Sequence, residues 1–179
     1  MTWIESSAEA FETDEKFDLI LTPQSLHWMT WEVVLPRFAR WLAPGGRLAV
    51  IPTCRFEETP WRSELMPLIR AYSAMQDFEP YDLIDEIETR GLFRADERGW
   101  VGPEPWRQSV DDYVLSWKSR AGLAWERVGA DRAEEFASRV RRLVEPHARD
   151  DWLEFGVVAE LAIGTPEANP ASPPARASS

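Results

Sequence analysis

Cysteine and histidine are scarce in these 179 residues: Cys54 stands alone, and His27 and His147 are the only imidazoles. A lone cysteine permits no internal disulfide. Three such residues far apart in sequence have no metal-ligand spacing and build no nucleophile triad. A G-x-S-x-G turn is absent, which argues against a hydrolase on an α/β sheet. Long uninterrupted apolar runs are also absent, so no membrane-spanning helix is expected. Basic residues are in deficit, with 20 Lys and Arg against 31 Asp and Glu and a net charge of −11. That balance disfavours a nucleic-acid substrate and anionic membrane surfaces. The opening MTWIESS has neither a basic region nor an apolar segment, so a cytoplasmic location is expected.

What the chain does have is a 44% hydrophobic composition, enough for one domain with a substantial core. Its organising stretch runs from Phe17 to Pro52. FDLILT and RLAVIP are short apolar runs without polar alternation, of strand length, as in strands buried on both faces of a parallel sheet. Between them Trp31, Val34, Leu35, Phe38, Trp41 and Leu42 fall on one face of a helix. Thr30 is its expected N-cap and Pro44-Gly45-Gly46 its stop, while Pro36 implies a late start or a kink. Strand, helix and strand make a right-handed βαβ unit, whose ligands lie beyond the carboxyl ends of the strands. Pro23-Gln24-Ser25-Leu26-His27-Trp28 occupies that place. Its amide, hydroxyl, imidazole and indole are a candidate pocket wall.

FDLILTPQSLHW, followed by a helix ending in LAPGGRLAVI, resembles the fourth and fifth strands of class I S-adenosylmethionine-dependent methyltransferases of the small-molecule, type 11 kind. SSAEAFE resembles the loop after that family's third strand, beside the cofactor's adenine. The resemblance implies a Rossmann-like α/β sheet of mostly parallel strands with helices on both faces and an antiparallel last strand. It implies S-adenosylmethionine as cofactor, and Ala8, Glu9, Thr22, Gln24, Ser25, His27 and Trp28 as residues beside it. The acceptor it implies is a small molecule. One part of the family pattern is not in these residues: the first strand with its Gly-rich turn, and the second strand with its acidic end. Thr2-Trp3-Ile4-Glu5 is a candidate remnant of the third strand.

Other readings stay open for several of these residues. Glu9, Glu12, Asp14 and Glu15 also read as a solvated acidic connection. His27 is a candidate general base with no partner evident in the sequence, or a wall residue. Trp28 reads as lining, although an aromatic face also suits a sulfonium cation. Cys54, in the polar stretch Thr53 to Pro60, is a nucleophile candidate without a companion motif.

Further along, Trp61, Leu65, Leu68, Ile69, Tyr72 and Met75 trace a helix face as far as about Asp77. A short helix is expected over Asp82 to Thr89. Strand material is expected at Leu92-Phe93 and Trp100-Val101 around a charged turn, then a proline-rich connection over Gly102 to Trp106. Ser109 with Asp112 forms a capping pattern for a helix from Val110 to Trp117. Another helix runs from Arg132 to Val144, capped by Asp131, with Phe136, Ala137, Val140, Leu143 and Val144 as its stripe. WLEFGVVAELAI reads as the final strand. By resemblance, the segment from about 109 to 147 takes the place of a lid, with Tyr113, Trp117 and Trp125 as candidate acceptor contacts. Ordinary helix packing is the other reading of those three rings. The domain is expected over 1–164, with 165–179 as a disordered tail.

In the family the FDLILT strand has the first strand as its neighbour, so an unpaired apolar edge is expected at Phe17 to Thr22. The chain is then expected to be a fragment of a longer protein or to pair that edge with another chain. Three functional readings follow: a small-molecule methyltransferase or the larger part of one, a non-catalytic relic or interaction module, and a half-domain completed by a partner chain.

Overall fold

The computed structural model describes residues 2–57, 59–75, 79, 81–120 and 122–167. The greater part of the expected tail lies outside the described residues. The chain divides into two compact units. The first takes the residues up to Cys54, Tyr81–Val101 and the chain from Ala159, and the second takes Arg55–Pro80 and Gly102–Val158.

In the first unit, β1 (Phe17–Pro23) runs parallel to β2 (Leu42–Ile51), with Leu19 to Pro23 opposite Arg47 to Ile51. Between them lies α1 (Trp31–Trp41), completing the expected βαβ unit. Val34, Leu35, Phe38 and Trp41 of its apolar stripe are buried. Thr30 is the N-cap residue, but its side chain makes no capping bond. The helix starts on time and runs through Pro36. It stops at Trp41, ahead of the Pro-Gly-Gly sequence, and Gly45 takes φ +84 within β2, in the irregular stretch between the Phe17–Leu42 and Leu19–Arg47 pairs. Gly46 passes so close to the Phe17 carbonyl that a Cβ there would lie 2.8 Å from its oxygen.

Leu48, Ala49 and Val50 are all buried, so β2 is covered on both faces as its uninterrupted apolar run implies. β1 departs from that expectation, since Leu19 and Leu21 are 57% and 52% exposed. Both lie on the same face of the strand, which is thus about half open. α3 (Leu83–Thr89) forms over the expected residues, capped by the Asp82 carboxylate, which accepts from Asp85 N–H at 2.9 Å. Its Leu83, Ile84 and Ile87 share one core with the α1 stripe, Leu48 and Val50. Thr2 to Glu5 is not a strand, and Trp3 and Ile4 are 84% and 62% exposed. An extended segment with no neighbouring ladder to join has no backbone partners.

Two strands pass through both units: β4 (Phe93–Ser109) and β5 (Trp152–Pro166). β5 pairs antiparallel with β2, Ala49 opposite Ile163, and has β4 as another neighbour. The last strand is therefore antiparallel as implied, but it lies between β2 and β4 rather than at the rim, and the sheet is mixed. It also ends two residues beyond the expected domain limit. The expected proline-rich connection is part of β4, where Gly102 takes φ +98.

The second unit contains the short β3 (Cys54–Phe56), for all but its first residue, within the stretch expected to be a loop. Its helices are α2 (Arg62–Tyr72), α4 (Val110–Ser116), α5 (Trp125–Val128) and α6 (Ala130–Val144). Ser109 caps α4 as its S-x-x-D pattern implies, its hydroxyl oxygen accepting from Asp112 N–H at 3.0 Å. Asp131 is not the cap of α6. Gly129 takes that position and Asp131 sits in the first turn, where its charge suits the helix dipole. Phe136, Val140 and Val144 of the α6 stripe are buried with Trp61, Leu65 and Tyr72.

Candidate functional site

In the first unit, the candidate wall begins where β1 ends. Gln24 takes φ +47, and its N–H donates to the carbonyl of Ile51 at 2.8 Å, holding the turn against the end of β2. A 3₁₀ turn, Leu26–Trp28, follows. Leu26 is buried and its carbonyl accepts from the Trp31 indole N–H at 2.9 Å, which leaves the neighbouring side chains facing outward. His27 and Trp28 lie against each other, ring centroids 4.8 Å apart, and Trp28 is 69% exposed. Burial lowers the His27 pKa, so the imidazole is neutral at neutral pH and has an open aromatic surface beside it. Thr22 is buried, and its hydroxyl donates to the Ala49 carbonyl at 3.5 Å.

The acidic connection is brought to the same place. Glu9 accepts a hydrogen bond from the Thr30 N–H at 2.9 Å, which ties the acidic connection to the N-cap residue of α1. That bond is the main cause of a lowered Glu9 pKa. Ala8 packs against the core of this unit, and Glu12 pairs with Arg37 at 2.6 Å. Ala8, Glu9 and the Gln24–Trp28 turn are thus linked through the start of α1. An exposed aromatic pair, an apolar Ala8 and outward polar groups fit the nucleoside end of a cofactor. For a methionine end the chain has no Gly-rich turn to offer.

In the second unit, Tyr113 and Trp117 come together edge to face with centroids 6.1 Å apart. Both are buried in a cluster that the sequence did not reveal. Trp61 donates its indole N–H to the Tyr113 hydroxyl at 2.9 Å, and Phe56 and Phe155 stack at 4.5 Å beside them. Trp125 does not join this cluster. It lies under the Lys118 ammonium, 3.9 Å from the ring centroid, in a separate cavity with Asp111, Glu134 and Arg141. Trp61 was legible only as a helix-face residue, because its partner Tyr113 is 52 positions away. His147 lies beside Trp61, with centroids 5.2 Å apart. Among the described residues no group of three or more His, Cys, Asp or Glu side chains could hold a metal. No helix of the described residues is long and apolar enough to cross a membrane.

Residues 1–50 match the methyltransferase-domain family model. Over that segment, less than a third of its length, the chain is similar to methyltransferase domains. Over 56 residues, 31% of its length, it is 38% identical to uncharacterized methyltransferases of Mycobacterium bovis and Mycobacterium tuberculosis. The match spans about a quarter of those relatives, 23% of their length. The fold resembles a protein described as a type II methyltransferase from Anaeromyxobacter dehalogenans. That likeness has a TM-score of 0.55 at 18% identity and covers 95% of this chain and 73% of that one. A looser likeness, TM-score 0.39 at 14% identity, is to an S-adenosylmethionine-dependent methyltransferase from Geobacter sulfurreducens in complex with S-adenosyl-L-homocysteine, covering 93% and 64%. The matched segment holds β1, α1 and most of β2, with the Glu9 loop and the His27–Trp28 turn.

Proposed function

We propose that the chain takes part in S-adenosylmethionine-dependent methyl transfer to a small-molecule acceptor. In this reading, the turn after β1 and the Glu9 loop hold the nucleoside side of the cofactor. The observation that carries it is the joining of those two loops at the start of α1, within the segment that matches the methyltransferase-domain model. S-adenosylmethionine, when bound, supplies an electrophilic methyl group, and the chain's own residues bind and orient. Trp28 offers a face to the adenine or the sulfonium cation. Gln24, Ser25 and His27 offer hydrogen bonds, His27 as a neutral imidazole rather than a committed base. Tyr113 and Trp117 are the proposed acceptor-side residues, and Trp125 is the weaker member of that set because its ring is taken up by Lys118.

The test is calorimetric titration of S-adenosylhomocysteine into the chain and its Trp28→Ala variant. Weak, saturable binding is expected, reduced by about fivefold or more in the variant, as for loss of one stacking face. Because Trp28 is so exposed, thermal stability should hardly change. Equal affinities, or no binding by the unaltered chain, would contradict the reading.

A second reading is favoured by β1, which pairs with β2 alone among the described strands and leaves Leu19 and Leu21 half exposed. Here the chain is a half-domain whose sheet is extended at β1 by another strand, and the cofactor's methionine end is held by residues outside these 179.

A further inference from the structure

The aromatic cluster of the second unit contains hydrogen-bond donors without acceptors. Tyr113 is fully buried, and its oxygen receives the Trp61 indole N–H at 2.9 Å, while its own O–H has no acceptor among the described residues. The Trp117 indole N–H is buried and has no hydrogen-bond partner among the described residues. It lies near the Tyr113 oxygen but not in hydrogen-bond geometry, and burial raises the Tyr113 pKa, which keeps its O–H a donor. The Arg120 guanidinium covers Trp117, 4.1 Å from the ring centroid, and lies 5.9 Å from the Phe56 ring. No carboxylate among the described residues pairs with it, whereas Arg98 holds Asp82, Asp85 and Glu160.

Buried donors ordinarily find acceptors, and a cation stacked on an indole remains free to take an anion in its own plane. Three donor groups and no acceptor describe a place for an anionic oxygen. One guanidinium with two neutral donors balances a single negative charge, not the two of a phosphate monoester. The neighbouring surface is mixed: Phe56 and Phe155 are in contact, and Phe56 with Val158 gives the apolar part of a cavity of about 380 Å³ whose other walls are Arg55, Glu57 and Arg62.

We propose that Tyr113, Trp117 and Arg120 bind the carboxylate of a small apolar monocarboxylic acid, whose body lies along Phe56. The Arg120 residue is exposed although its guanidinium loses water against the rings, so it is the group that can swing from the indole to admit the carboxylate and then pair with it. That this acid is the methyl acceptor rests on the proposed function. Its binding does not, and needs no cofactor.

The test uses the whole chain without cofactor, with phenylacetate as probe and phenylacetamide as its neutral counterpart. Binding is followed at the indole N–H resonance of Trp117, assigned by its disappearance in Trp117→Phe. Phenylacetate is expected to move that resonance and to bind on the order of tenfold more tightly than the amide, as for a charged partner gained. Arg120→Met keeps the stem over the indole and should abolish the preference while the thermal midpoint stays unchanged. Equal binding of the two probes, a preference that survives Arg120→Met, or a Trp117 resonance unmoved at millimolar phenylacetate would each overturn the site. Failure of methyl transfer with intact phenylacetate binding would overturn only the proposed function.

Discussion

His27 has the lowered pKa of an imidazole that loses water on folding and gains no carboxylate. Its folded value lies below its unfolded value of about 6.5, so between the two the unfolded chain binds more protons. Stability is full above about pH 6.5 and is lost as pH falls toward the folded value. Thermal melts between about pH 7.5 and 5.5 should show this slope in the chain and a flatter one in His27→Gln. Equal slopes would contradict the reading. Glu9 is lowered chiefly by the Thr30 N–H, so its contribution is present above the ordinary carboxylate range and is lost only at more acid pH. The sequence placed Glu9 near the candidate site, but not its bond to α1, because a 21-residue separation has no local signal. The Ser109 cap was legible for the opposite reason: both of its partners lie within one turn.

At the scale of elements, α1 and α6 were legible because their apolar stripes recur at helical spacing, and those stripes are what the cores bury. β4 was not. Its sequence, FRADERGWVGPEPWRQS, interrupts every strand pattern with charges, glycine or proline, and most of its side chains are exposed. Only its backbone pairing with β5 makes it a strand. β1 was legible as a strand but not as a half-covered one, since FDLILT looks the same whether or not another layer meets Leu19 and Leu21. Its open side leads to a prediction. Sedimentation of the chain at tens of micromolar should show species heavier than the 20.6 kDa monomer. The Leu19→Ser, Leu21→Ser variant should run as monomer, with stability altered by about 0.5 kcal/mol or less because both side chains are already half in water. A well-folded, monomeric unaltered chain would contradict the prediction.

For the whole molecule, the βαβ unit and the antiparallel last strand were legible as a methyltransferase-like sheet, while the aromatic cluster depends on contacts between segments that no sequence pattern links. The account's central claim is that these residues hold the nucleoside side of an S-adenosylmethionine-type cofactor and not its methionine end, for which they contain no Gly-rich turn. The most direct test compares adenosine with S-adenosylhomocysteine by calorimetry on the same chain. The account predicts that both bind weakly and within about threefold of each other, because the methionine moiety meets no built contacts. S-adenosylhomocysteine binding a hundredfold or so more tightly than adenosine would mean that the chain holds the whole cofactor, and would contradict the account.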